Sequence, residues 1–246
     1  MTHADLHLNP DLDVDGLAAA FSETKRLHIK KIFGRDTALH IQDVLVNQTP
    51  WQYTYFDGAR NHTVPIEQFD RLDADSRNSI DETVRRAAEK GFSYSYNSFN
   101  FHQRIRQGED VGDAFAEIDA FLNSEPFLRS LSQIVGDPDI SGTDASASWY
   151  GHGHFLNIHD DKRPKYDLRA AFVLNLSPLW RTDWGGELKF FSNRRGAKFE
   201  DAYFPSFNAL NIFKVPQYHA VGMVAPFAGA PRHSISGWLY AGDDPY

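Results

Sequence analysis

The chain has 246 residues, 41% hydrophobic and 24% charged, with 25 basic side chains against 33 acidic ones and a formal net charge of -8. These values fit one large domain with a real core. No long basic run marks a nucleic-acid footprint, no apolar stretch approaches the roughly 20 residues needed to span a bilayer, and the absence of cysteine excludes a disulfide scaffold, a thiol nucleophile and a thiolate metal site.

In chain order, Met1 to Asp13 is polar and acidic, without the basic and apolar regions of a signal peptide, so a cytoplasmic location is expected. Asp13 or Asp15 can cap a short helix through Leu17, Ala20 and Phe21, and Asp36 can cap a second through Leu39 and Val44. The run Ala74 to Lys90 is polar and helical, with Gly91 as its stop. Two more helices are predicted over Val111 to Asn123 and Pro126 to Val135, the second ending at Gly136. Aromatic strand-like pieces, Trp51 to Phe56 and Phe92 to Phe101, lie between the helices.

From Ile140 onward the pattern is short strands broken by turns: SASWY, HFLNIH, RAAFVLNL, GELKFF, ALNIF, HAVGMV and HSISGWLY. That density of short strands predicts a sandwich or jelly roll. The expected fold class is α+β, mainly β: a jelly-roll core over 140–246, and a helical support region over 1–139 packed outside one sheet. The whole chain, 1–246, is read as a single domain.

Within the β-rich half, His159 and Asp161 are two positions apart, and in a strand they point the same way. With His219, which opens HAVGMV, they make a candidate metal face of two imidazoles and a carboxylate. Such a face leaves three positions of an octahedral iron free for a bidentate co-substrate and dioxygen. Taken singly the positions do not decide: an isolated HxD arises by chance, and His219 is one of 11 histidines. Arg232 shifts the balance. In a strand, Arg232, Ser234, Ser236 and Trp238 share one face, while Ile235, Gly237 and Leu239 share the other. The polar face is either solvated or turned inward, and an inward Arg with a Ser beside it forms a pocket for a carboxylate such as the distal one of 2-oxoglutarate.

The run Tyr150 … His159-x-Asp161 … Gly185-Gly186-Glu187-Leu188 … His219 … Arg232-x-Ser234 resembles the prolyl-4-hydroxylase-like branch of the Fe(II)/2-oxoglutarate dioxygenases, over roughly Ser146 to Tyr240. The segments GHFLNIHDD and RHSISGWL look closest to predicted proline hydroxylases whose eukaryotic relatives act on a ribosomal protein. The resemblance implies a double-stranded β-helix, with His159, Asp161 and His219 binding iron. It implies Arg232 pairing with the C5 carboxylate of 2-oxoglutarate, Ser234 assisting, and Tyr150 touching the co-substrate, with a core tyrosine as the alternative reading of Tyr150. Iron(II), 2-oxoglutarate and O2 are then the implied cofactors, with ascorbate an optional reductant, and no catalytic residue is assigned beyond the metal ligands. The implied reaction is hydroxylation of a prolyl residue in a protein or peptide. The acidic balance suits a basic target through long-range attraction, and the number of subunits is left open.

Two departures stand out. The strand Ala170-Ala171-Phe172-Val173-Leu174 offers no tyrosine for the same carboxylate, and Arg232 stands where several collagen-type members use lysine. Among other residues, Asn175 reads better as a strand-end cap than as a pocket residue, and Trp238 better as core. Phe92 to Phe101 reads equally as core or substrate wall, and Arg169 as pocket mouth or solvated charge. The alternatives are the same chemistry on a free amino acid or other small molecule, and a metal-binding jelly roll without turnover. A zinc hydrolase lacks a clear general-base Glu near the HxD segment.

Overall fold

The computed structural model describes residues 5–244 and 246. In chain order the elements are α1 (Val14–Thr24), β1 (Arg26–Lys30), α2 (Arg35–Asn47), β2 (Gln52–Phe56), β3 (Asn61–Pro65), α3 (Ile66–Asp70) and α4 (Ala74–Lys90). Then come β4 (Tyr94–Phe99), α5 (Phe101–Arg106), α6 (Asp113–Leu122), α7 (Glu125–Val135), β5 (Ile140–Tyr150), β6 (Phe155–His159) and β7 (Leu168–Asn175). A 3-10 turn at Thr182–Trp184 precedes β8 (Leu188–Phe191), β9 (Phe199–Tyr203), β10 (Ala209–Lys214), β11 (His219–Val221) and β12 (Arg232–Ala241).

The helix ends follow local chemistry. Asp13 caps α1 by accepting the Gly16 amide at 3.0 Å, and Asp73 caps α4 by accepting that of Ser76 at 2.8 Å. Gly136 ends α7 in the left-handed conformation, φ 72°, that a glycine adopts without a Cβ penalty. Asp36 does not cap α2, however. Gly34 holds that position with no side-chain bond, and Asp36 falls in the first turn, where its charge faces the positive end of the helix dipole.

The sheet is antiparallel throughout and runs β1-β10-β7-β12-β5-β4-β6-β11-β8-β9, with β2 and β3 extending from β4. It curls into a nearly closed, jelly-roll-like barrel. The change of character near residue 140 is therefore not a boundary in the sheet. Strands β1 to β4 come from the N-terminal half, and β4 bridges β5 and β6. The short strands Arg26–Lys30 and Asn61–Pro65 carry too little alternation to be legible alone, and their partners supply the pairing.

Alternation along the central strands assigns the two faces. Phe172 and Leu174 of β7, Leu210 and Ile212 of β10, and Ile235 and Leu239 of β12 face outward into a core shared with α1, α2, α6 and α7. That core holds Phe21, Ile41, Phe115, Phe127 and Leu131. A buried Leu, Ile or Phe removed from water contributes about 1.5–3 kcal/mol, so this layer anchors the sheet. Not every helix lies on that face: α4 packs on β2 and β4 instead. The opposite faces of the same strands, including Ala171, Val173 and Phe213, turn into the barrel with Leu188 and Phe190.

Candidate active site

The barrel interior holds a cavity of about 300 Å3 that contains His159, Asp161, His219, Tyr150, Arg232 and Ser234. All six residues expected at the site thus share one space.

His159 ends β6 and His219 opens β11, and the two are direct partners in the ladder, with ring centroids 4.1 Å apart. Asp161 reaches them differently from the strand alternation read in the sequence. Since β6 stops at His159, Asp161 lies beyond the strand in the left-handed conformation, φ 58°, which aspartate tolerates better than most residues. Its carboxylate oxygens lie 3.3 Å from His159 Nε2 and 3.4 Å from His219 Nε2. Each imidazole is oriented from behind: His159 Nδ1 donates to the Asn157 carbonyl at 2.9 Å, and His219 Nδ1 to that of Gln217 at 2.8 Å. A carbonyl only accepts, so Nδ1 carries a proton and Nε2 faces Asp161 and the centre of the set, as a lone pair open to a metal when the ring is neutral or as a second donor to the carboxylate when the ring is protonated.

Electrostatics agree with this arrangement. Burial alone would raise the Asp161 carboxyl, but the adjoining His219 and His159 hold it well below the usual carboxylate range. Burial and the nearby His159 push His219 down to about 4. Burial also works against a charged His159, and its bond to Asp161 outweighs that and raises it. One carboxylate and two imidazoles within 4.8 Å of one another are the metal-capable group found among the described residues. The donor set suits iron(II) and leaves positions open on it.

Arg232 is 2% exposed, and no ion pair among the described residues includes it. Among the described residues its Nε has no hydrogen-bond partner, and Nη2 makes one long contact, 3.4 Å to Asn175 Oδ1. The guanidinium lies 5.2 Å from the centre of the Tyr150 ring. Burial pushes Arg232 below its usual range, while Tyr150 and Glu187 counter that, and Glu187 is itself engaged by Lys189 at 2.7 Å. A buried cation normally costs several kcal/mol unless an anion accompanies it. Among the described residues no anion pairs with this one, and it faces the same cavity as the histidines. Ser234, fully buried, shares a 2.8 Å hydrogen bond with Ser148 across the β12–β5 pair.

Two glycines shape the floor. Gly185 and Gly186 both have positive φ, and a Cβ on Gly185 would lie 2.1 Å from the Met223 carbonyl oxygen. A Cβ on Gly186 would lie 3.2 Å from Arg232 Cδ and 3.0 Å from the Trp180 ring. The Gly-Gly pair thus lets the turn before β8 pass close beneath the Arg232 stem.

The structure gives the remaining residues named in the sequence definite places. Asn175 is buried beside Arg232 and does not merely cap β7. Trp238, half-buried, both packs on the barrel-side core and lines the cavity, with Arg163 4.2 Å above its ring. Arg169 is a peripheral charge, 2.8 Å from Asp137 and from Asp167. Period-two alternation divides the segment from Phe92 to Phe101: Phe92, Tyr94 and Tyr96 line the cavity, whereas Phe99 and Phe101 join the helix-side core. Tyr96 stacks on Tyr150 at 4.8 Å, so Tyr150 is both packed and a cavity wall. Ser148 was not singled out in the sequence. Its signal is the register that sets it opposite Ser234.

Comparison with known proteins places the same segment. Residues 145–240 match the model of the 2OG-Fe(II) oxygenase superfamily. The chain is 32% identical over 124 residues to a mouse protein named prolyl 3-hydroxylase OGFOD1, a match spanning 48% of this chain and 22% of that relative. Among solved structures, a Pseudomonas putida prolyl-4-hydroxylase superposes with TM-score 0.58 at 14% identity, covering all of both chains. A Trichoplax adhaerens prolyl hydroxylase, solved with a hypoxia inducible factor peptide fragment, superposes with TM-score 0.60 at 16% identity, covering 93% of this chain and 89% of that one. At those identities the structural likeness speaks for the fold.

Proposed function

We propose that the chain, whose residues 145–240 match the model of the 2OG-Fe(II) oxygenase superfamily, is an Fe(II)- and 2-oxoglutarate-dependent dioxygenase that hydroxylates a prolyl residue in a protein or peptide. The observation that carries the reading is Arg232, a buried guanidinium with no paired anion among the described residues, in the same cavity as His159, Asp161 and His219. A bare metal site has no need of a second, unpaired cation.

In this reading His159, Asp161 and His219 hold iron(II) through Nε2, a carboxylate oxygen and Nε2. Arg232 holds the distal carboxylate of 2-oxoglutarate with its fork of donors, Ser234 adds a hydroxyl donor, and Tyr150 walls the co-substrate. The bound iron supplies the redox chemistry: O2 is consumed, 2-oxoglutarate is oxidised to succinate and carbon dioxide, and the substrate gains one oxygen atom. The protein supplies orientation and exclusion of water. Phe92, Tyr94 and Tyr96 offer ring faces to an apolar pyrrolidine at the cavity wall. Ascorbate fits as an auxiliary reductant that keeps the iron in its reduced state. The N-terminal strands are integral to the sheet, which favours treating 1–246 as one domain. Among the described residues no helix is long and apolar enough to cross a membrane, and a cytoplasmic location is part of the proposal.

A panel of proline-containing peptides and free amino acids, incubated with the iron-loaded protein and 2-oxoglutarate, tests the substrate. The expected result is a one-oxygen mass gain on a prolyl residue of a peptide. Modification confined to a free amino acid would instead favour the small-molecule alternative.

A further inference from the structure

The rim of the cavity differs in charge from the chain as a whole. Phe92, whose ring centre lies 5.7 Å from that of His159, is shared by the metal cavity and two adjoining clefts. One cleft, of about 280 Å3, carries Arg194 beside His159. The other, of about 680 Å3, carries Arg86, Lys90 and Arg194. Arg86 is neutralised by Glu82 on the same helix, at 2.5 Å. Lys90 and Arg194 are exposed, and no ion pair among the described residues includes either.

Two acids line the same clefts and remain charged, each hydrogen-bonded to local partners. Asp57 is held by His62 at 2.7 Å and by two backbone amides, which keep its carboxyl down at about 2. Asp160 accepts the Lys162 amide. The segment carrying Arg194 and Arg195 is fixed against the metal-bearing strand: Gly196, at φ +63°, sits so close to Ile158 that a Cβ would lie 3.1 Å from its Cδ1. On the cavity's other side, Arg163 is held over Trp238.

We propose that this mouth recognises an acidic peptide segment, with Lys90 and Arg194 receiving carboxylates that flank the residue presented to His159, Asp161 and His219. The inference rests on the oxygenase reading and names its substrate class. It reverses the expectation drawn from net charge: a total of -8 governs long-range approach, whereas contact at the mouth is set by local unpaired charge. A basic target would place its cations against Lys90 and Arg194.

The test uses three fluorescent peptides of equal length, each with one proline flanked by Glu, Gln or Lys, and reads their binding by anisotropy to the protein with iron(II) and 2-oxoglutarate under nitrogen. The Glu peptide should bind roughly tenfold more tightly than the Gln peptide at low ionic strength, the scale two partly exposed ion pairs supply, and the advantage should shrink with added salt. In Lys90→Glu/Arg194→Glu the order should invert towards the Lys peptide. The milder Lys90→Gln/Arg194→Gln pair should abolish the preference without inverting it, and guards against misfolding of the first variant. Equal affinities in the parent, an unchanged order in both variants, or tighter binding of a single-stranded oligonucleotide would each overturn the proposal. Peptide-independent consumption of 2-oxoglutarate separates the two ideas. If it persists without any acidic preference, the charged mouth fails alone; an acidic preference without any consumption leaves the mouth standing and removes the oxygenase reading.

Discussion

His159 and His219 face each other across the β6–β11 ladder, and each fixes its ring in the same way, through Nδ1 to the carbonyl two residues before it. Two strands therefore deliver two equivalent Nε2 atoms to one point, with Asp161 turned back to complete the face. Replacing His159 or Asp161 with Ala should abolish iron-dependent 2-oxoglutarate turnover while leaving the melting transition cooperative, because neither lies in the helix-side core. A His219→Ala protein that binds iron(II) one to one and turns over at the parent rate would remove that residue from the ligand set.

For Arg232, truncation to Ala leaves a bound carboxylate without its cation, a loss of about 3–5 kcal/mol for a buried pair. The concentration of 2-oxoglutarate giving half-maximal rate should rise by at least about tenfold, or roughly 1.4 kcal/mol, with saturated turnover less affected. Arg232→Lys should fall between, since an ammonium keeps the charge and loses the fork. A change below tenfold in the Ala variant would mean that another cation anchors the co-substrate.

Gly186→Ala introduces a methyl group 3.2 Å from Arg232 Cδ at a residue with φ +69°. The strained backbone should cost on the order of 1 kcal/mol of stability, read as a lower Tm. The displaced Arg232 stem should weaken 2-oxoglutarate binding several-fold, read by titration. An unchanged affinity alongside a lowered Tm would show that the arginine does not depend on this contact.

Away from the site, His102 is fully buried between Asp119, at 2.6 Å, and Asp244, at 3.3 Å. Burial alone would lower its pKa, but the Asp119 hydrogen bond and the two charges raise it above 6.5. The folded state then holds a proton that the unfolded chain releases. The resulting stabilisation is full below the unfolded value of about 6.5 and fades as pH rises through the higher folded value. The Tm gap between the parent and His102→Gln should be widest in mild acid and narrow on the alkaline side. A gap that stays constant with pH would show that the imidazole is neutral throughout.

Much of this was legible in the sequence because it rests on period and cap chemistry. Gly91 ends Ala74–Lys90 as its position predicted, and alternation in Arg232 to Leu239 separated the anchor face from the core face. What stayed hidden depends on partners distant in the chain. Arg26–Lys30 is a strand because β10 pairs with it, and Asn175 meets Arg232 because β7 pairs with β12. Asp161 reached its place by a left-handed turn that a spacing of two does not encode.

The most direct test of the account is succinate formation from 2-oxoglutarate by the purified chain, measured with and without iron(II), in the parent, Arg232→Ala and His219→Ala. Succinate should form in the parent in an iron-dependent manner, need far more 2-oxoglutarate in Arg232→Ala, and be lost in His219→Ala. A parent protein that binds iron(II) yet forms no succinate under any substrate condition, and an Arg232→Ala protein that binds 2-oxoglutarate as tightly as the parent, would contradict it.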